Sequence, residues 1–358
     1  MQNLYQKLKT HGSAAAFILG FIWDNIMLRR IDHGFANLML GTYLTLSFFI
    51  IIALNMHSVR RRRLREQGKN ARWLPLIIQF CFGSLFSAYI IFYTRSASIF
   101  VNWPFLLLLV ALVFANEFFR HRYVSPVFQL GTFFTVLFSY VIFSLPIVLG
   151  RIGGDVFILS GLASLAGITL LSFLVRLADR EEHSKNRLLL VAVIAGIYAL
   201  FNVAYFTGII PPVPLALKEI GVYHSVLKNN DGSYTVSFEP GYWYPLSNDA
   251  SGTFDRRANE PVYVFSSVFA PTKITAPIFH SWSYFDEIDK VWVTTDRIQF
   301  PLSGGREDGF REFSMKSGVF PAQWRVDVET EGKKLIGRVE FQIVDAKTPV
   351  TNLVTDTR

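Results

Sequence analysis

Residues 208–219 read GIIPPVPLALKE, and the chain changes character across them. Before the double proline, Pro211 and Pro212, the apolar runs are long enough for helices. After it, apolar and polar residues alternate. Proline removes an N–H and clashes with the preceding turn, so a helix stops there. The stretch marks a boundary between a transmembrane helical domain, residues 1–211, and a strand-rich domain, residues 212–358.

The upstream part has the composition of a membrane protein. Of the 358 residues 51% are hydrophobic, 34 are Phe, and only 17% are charged. Runs able to span ~30 Å of hydrocarbon, about 20 residues each, lie near 32–56, 73–94, 98–119, 127–150, 154–175 and 187–210. A shorter run, 13–28, is a seventh candidate, so six or seven helices are expected. Lys7 and Lys9 precede it as in a signal peptide, but no small-residue cleavage site comes before Asp24, and it reads as a retained anchor.

Charge is divided between the two parts. Residues 1–211 hold 19 Lys/Arg against 8 Asp/Glu, net +11, whereas residues 212–358 hold 16 against 19, net −3. The basic balance belongs to the membrane part, which points to a lipid bilayer and its anionic head groups as partners, and not to nucleic acid. The stretch HSVRRRRLREQGKNAR, residues 57–72, carries Arg60, Arg61, Arg62, Arg63 and Arg65. Such a loop stays in the cytoplasm. It either binds head groups or only fixes topology, and topology alone accounts for it. Five spans follow the loop before residue 211, an odd number, so the strand-rich domain is expected on the opposite side of the membrane.

Within GFIWDNIMLRRIDHG, residues 20–34, Asp24, Arg29, Arg30 and Asp32 interrupt apolar sequence. One reading is an intramembrane site for a cation, a proton or a basic group, as in a transporter or a membrane-embedded enzyme. The other is a charge-neutralising hairpin at interfacial depth, with Arg29 and Asp32 paired at a spacing of three. The short segment favours the second. Small residues at packing spacing, Ser160 with Ser164, Ala163 with Gly167, and Ala192 with Gly196, suit close helix contacts.

Downstream, QWRVDVE sets Trp324, Val326 and Val328 on one face and Arg325, Asp327 and Glu329 on the other. LIGRVEFQI repeats this with Val339, Phe341 and Ile343, and TEGKK between them supplies a glycine for a hairpin turn. Further strands are expected at 220–228, 233–239, 262–270, 278–285, 290–299 and 310–316, with NNDGS as a second hairpin signal. Eight short strands predict an antiparallel, immunoglobulin-like β-sandwich.

Few residues carry chemistry. HSWSYFDEIDK aligns His280, Trp282 and Tyr284 on one face, either an aromatic platform for a sugar or peptide together with Trp324, or part of the sandwich core, which is the favoured reading. Asp286, Glu287 and Asp289 match no known ion loop and read as a solvated turn. PLSGGREDG has no following helix and no Lys-Ser/Thr, so it is not a phosphate loop. The seven His are scattered without metal-ligand spacing, and Cys81 is the single cysteine. No metal or cofactor is expected, and no catalytic signature is evident.

HSWSYFDEIDKVWVTTDRIQFPL and GFREFSMKSGVFPAQWRVDVETEGKKLIGRVEFQIV together resemble the bacterial domain of unknown function 2914, over residues 279–345. That domain typically ends a multi-span membrane protein. The resemblance implies a bacterial envelope location and no assigned activity. The expectation is an inner-membrane protein whose periplasmic sandwich binds an envelope protein or glycan, with the helices as anchor or relay. The alternative is a transporter or membrane enzyme built on Asp24, Arg29, Arg30 and Asp32.

Overall fold

The computed structural model describes residues 34–64, 74–96, 99–118, 125–239, 252–257, 259–306, 308–346 and 353–358. Asp24, Arg29, Arg30, Asp32 and Arg65 lie outside them, as does the run 13–28. Contacts within the chain divide it into two compact units. One holds most of the helical residues; the other holds residues 95–102 and 147–153 and everything from Pro211 onward, including the strands.

Seven helices occur among the described residues: α1 (Gly34–Leu64), α2 (Leu74–Ser96), α3 (Ile99–Phe118), α4 (Pro126–Leu149), α5 (Gly154–Ala178), α6 (Arg180–Lys185) and α7 (Arg187–Phe206). Five of them, α1, α2, α4, α5 and α7, are long and apolar enough to cross a membrane; the corresponding apolar stretch of α3 is shorter, Asn102–Leu112. Pro126 opens α4, where its missing N–H costs nothing. Asp155 in the first turn of α5 and Arg176 in its last turn both oppose the helix dipole favourably.

Aromatic rings supply much of the packing in this unit. Phe138 of α4 stacks on Tyr198 and Phe201 of α7, and Phe157 of α5 stacks on Tyr205 at 3.8 Å. Asn55 of α1 donates to Gln129 of α4 at 2.8 Å, a buried polar link between helices. Small residues admit close neighbours only in places. A side-chain carbon at Gly161 would meet the Tyr198 ring at 2.8 Å and the Phe138 ring at 3.2 Å, and one at Gly167 would meet Leu137 at 2.9 Å. Ser160 and Ser164 are buried. Gly196 faces nothing within 4 Å, and Ala163 and Ala192 are exposed, so the spacing expected to pack helices does so for only part of the set.

Among the described residues the second unit holds eleven strands: β1 (Ala216–Tyr223), β2 (Ser225–Lys228), β3 (Tyr234–Phe238), β4 (Gly252–Arg256), β5 (Val262–Phe269), β6 (Thr275–Asp286), β7 (Val291–Ser303), β8 (Phe310–Lys316), β9 (Gln323–Thr330), β10 (Leu335–Asp345) and β11 (Val354–Thr357). They form three sheets, ordered β1-β5-β8, β4-β10-β9-β6-β7 and β11-β3-β2. The first packs on the second through Val262 and Val264 against Trp282, Trp324, Val326, Val339, Phe341 and Ile343. Its other face packs on the third sheet through Phe265 and Tyr223 against Val226, Tyr234 and Val236. Strand β5 is thus covered on both sides, which explains why VYVFSSVF has almost no polar alternation.

Three expectations are corrected. The single strand 220–228 breaks at His224 into β1, which pairs with β5, and β2, which pairs with β3. The five-stranded sheet is not wholly antiparallel, because β4 runs parallel to β10; the two are far apart in sequence, as a parallel pair requires. In the TEGKK turn, Lys333 takes the left-handed conformation at φ 56°, not the glycine. The NNDGS turn does use its glycine, Gly232 at φ 83°, with Asn229 N–H donating to Ser233 O at 2.8 Å.

Candidate functional site: the outer face of the five-stranded sheet

Side chains alternate across a strand, so burying Trp324, Val326 and Val328 of β9 turns Arg325, Asp327 and Glu329 outward. Likewise Arg338 and Glu340 of β10 point away from the core. Between β9 and β7 runs β6, whose outward residues include Ser281 and Ser283. These are small, so long side chains from the flanking strands meet above them. Arg325 reaches across Ser283 to place its guanidinium 4.4 Å from the centre of the Trp292 ring. Arg297 of β7 crosses toward Glu329 and covers the Phe279 ring at 3.8 Å.

The three outward arginines are not equivalent. Arg297 donates to Glu329 Oε1 at 2.8 Å and to the carbonyls of Thr330 and Glu331 at 3.0 Å, while Ser281 donates to the same Glu329 oxygen at 2.6 Å. Arg338 makes a bidentate pair with Asp327, at 2.5 and 3.0 Å. Arg325 has only a long contact to Asp327, 3.7 Å from Nε, and that buried Nε has no hydrogen-bond partner among the described residues. Burial pulls the Arg325 guanidinium below its ordinary value, with Asp327 opposing the shift. Of the three, Arg325 is the one whose guanidinium lies on an indole and makes no hydrogen bond to a carboxylate among the described residues.

The residues singled out from sequence fall elsewhere. His280 and Trp282 are fully buried and Trp324 is 1% exposed, so these three side chains sit in the core and not on an open platform. Only Tyr284 is half-buried, against Phe320 and Trp324 at ring distances of 5.0 and 5.7 Å. His280 anchors a polar bridge between sheets: Nε2 lies 2.8 Å from Ser266 Oγ of β5, and Nδ1 lies 2.9 Å from Ser314 Oγ of β8. Ser314 Oγ also accepts the Trp282 indole N–H at 3.0 Å. Burial pushes the imidazole down to about 3, so it is neutral. Asp286 caps its turn by accepting from the N–H groups of Ile288 and Asp289, at 2.8 and 3.2 Å. Arg60, Arg61, Arg62 and Arg63 lie on the last turns of α1.

A second cluster went unread in the sequence. His224 is 3% exposed at its side chain and lies between two carboxylates, Nε2 at 2.9 Å from Glu239 and Nδ1 at 3.0 Å from Glu260. Its ring stacks on Phe254 at 4.2 Å. The carboxylates hold opposite ring edges, which ties three segments together. Among the described residues no group of three or more His, Cys, Asp or Glu is arranged to hold a metal ion.

The outer face and the His280 bridge draw most of their residues from one stretch of chain. Residues 275–343 match the family model described as protein of unknown function, DUF2914. The DUF2914 stretch starts with the first residue of β6 and ends within β10, so it contains Phe279, Trp292, Arg297, Arg325, Asp327, Glu329 and Arg338. No curated protein matches the chain. Among solved structures, the Pseudomonas fluorescens alkylpurine DNA glycosylase AlkC bound to DNA containing an abasic site analog aligns over 88% of this chain and 99% of that one. The identity is 8% and the TM-score 0.19, so the alignment carries no argument about fold or chemistry.

Proposed function

We propose that this is a multi-pass protein of the bacterial inner membrane whose strand-rich region is a periplasmic binding module, engaging an envelope protein or glycan through the outer face of the DUF2914 sheet. The observation that carries the reading is Arg325, stacked on Trp292 with no hydrogen bond to a carboxylate among the described residues, beside Arg297 and Arg338, which each bond one. Arg and Trp dominate binding energy at protein interfaces because each combines a large apolar surface with directional donors. Trp292 already carries a guanidinium on its ring and Phe285 at its edge, 5.4 Å away, which leaves little free ring for a sugar to stack on. A protein partner offering a carboxylate or carbonyl to Arg325 suits the face better.

The periplasmic placement is supported by the basic stretch at 57–72 and the odd number of spans after it. That count includes α3, whose 20 residues extend ~30 Å at 1.5 Å each. The helices then act as anchor or relay, and the basic stretch meets anionic head groups.

The test is a photoreactive residue in place of Thr294, an exposed position on this face, in the full chain in living cells. A discrete protein or glycan adduct supports the reading. Absence of any adduct, with the chain inserted and folded, overturns it.

A further inference from the structure

The connection between β6 and β7 carries the most exposed large apolar side chain among the described residues of the domain. Ile288 at its apex is 90% exposed and Val291 beside it 50%. Phe320, 43% exposed, leans on Tyr284 at the base of the same hairpin, with ring centres 5.0 Å apart. Ile288 and Val291 put two exposed aliphatics on one protrusion, and Phe320, from the connection between β8 and β9, adds a third apolar group near its base, which suits a contact surface.

The protrusion is built to hold its shape. Asp286 Oδ1 accepts the N–H groups of both Ile288 and Asp289, and Lys290 takes a left-handed φ of 53° to turn the chain back into β7. Below the apex, Phe285 and Trp292 meet edge to face at 5.4 Å, and Trp324 supports Phe320 at 5.3 Å. A preorganised tip loses little conformational freedom when it docks.

The charges around it select the occupant. Asp286, Glu287 and Asp289 flank Ile288 in sequence, with Lys290 the one cation of the turn, and residues 212–358 as a whole are net −3. An anionic bilayer surface and a second copy of this acidic domain would both be repelled. We infer that the 286–291 tip inserts into an apolar socket on a partner protein, and that Lys or Arg residues rim the socket. This rests on the binding reading proposed above and adds a second contact to it, at the end of the same sheet.

The experiment places p-benzoylphenylalanine at position 288 of the full chain in living cells, and maps the adduct by mass spectrometry. The expected result is one protein adduct, at an apolar residue flanked by Lys or Arg. Its yield should fall roughly fivefold or more in Glu287→Lys/Asp289→Lys and recover when the mapped basic residues are reversed to Glu. Neither Glu287 nor Asp289 supplies the side chain that caps the turn, so the double variant keeps it. A lipid adduct, an adduct to a second copy, no adduct, or a yield indifferent to the charge reversal would each overturn the inference. An adduct at Thr294 with silence at 288 would remove only the tip contact; silence at both would remove the binding reading beneath it.

Discussion

His280 and Ser266 meet at 2.8 Å, Nε2 to Oγ, across the interface between two sheets, one on β6 and the other on β5. Because the imidazole is held neutral, at about 3 against an ordinary 6.5, this bridge carries a pH dependence. The unfolded chain binds a proton at this histidine once the pH drops below 6.5, and the folded chain does not until about 3. Stability is therefore full above 6.5 and declines as the pH falls toward 3, by up to about 1.4 kcal/mol per unit. Unfolding of the full chain, followed by fluorescence as buried Trp282 and Trp324 become exposed, should show this slope between pH 6.5 and 4.5. The His280→Asn variant should flatten it; an identical slope in that variant would contradict a buried neutral imidazole.

Gly161 on α5 faces the rings of Tyr198 and Phe138 too closely for a side chain. Gly161→Val should destabilise the helical unit by about 1–3 kcal/mol, since rings packed on both sides cannot yield without leaving their rotamers. Gly196→Ala, with nothing within 4 Å, should be neutral or slightly stabilising. Thermal retention of fold in detergent compares the two directly. Equal effects would show that α5 does not pack as described.

The hydrogen bond from Asn55 to Gln129 links α1 to α4 at a buried position. A double-mutant cycle with Asn55→Leu and Gln129→Leu should give a coupling of about 0.5–2 kcal/mol, the range of interhelical hydrogen bonds in membranes. Additive effects would mean that the two side chains do not meet.

Much of this architecture is legible in sequence, and the reasons for the exceptions are physical. Strands β9 and β10 show plain alternation because one face is core and the other is polar; Trp324, Val326, Val339 and Phe341 were readable from QWRVDVE and LIGRVEFQI alone. The short strands β4 and β11, GTFDR and VTDT, escape because each buries at most one large apolar side chain and is held by pairing to a neighbour far away in sequence. The bridge that His280 makes escapes the sequence because its partners, Ser266 and Ser314, are 14 and 34 residues distant. Arg325 reads as an ordinary solvated charge. Its stacking on Trp292 depends on the register of β9, β6 and β7 and on the small side chain of Ser283 between them, and periodicity within one strand contains neither.

The topology follows from counting, and one helix decides it. On the proposed topology, in which α3 crosses along with the four long apolar helices after residue 65, reporters fused at residue 65 and after Arg358 should fall on opposite sides of the membrane. If α3 does not cross, both reporters will fall on the same side, and the periplasmic placement fails.

The most direct test of a binding face centred on Arg325 is the yield of the Thr294 photoadduct in Arg325→Ala compared with the unaltered chain. Arg325→Ala loses the stacking on Trp292, worth about 0.5–1 kcal/mol, but no hydrogen bond among the described residues, so the unfolding midpoint should fall by only a few degrees. The adduct should fall roughly tenfold or more, as the loss of an interface anchor worth about 1.4 kcal/mol or more requires. An undiminished adduct on a stably folded variant would contradict the account.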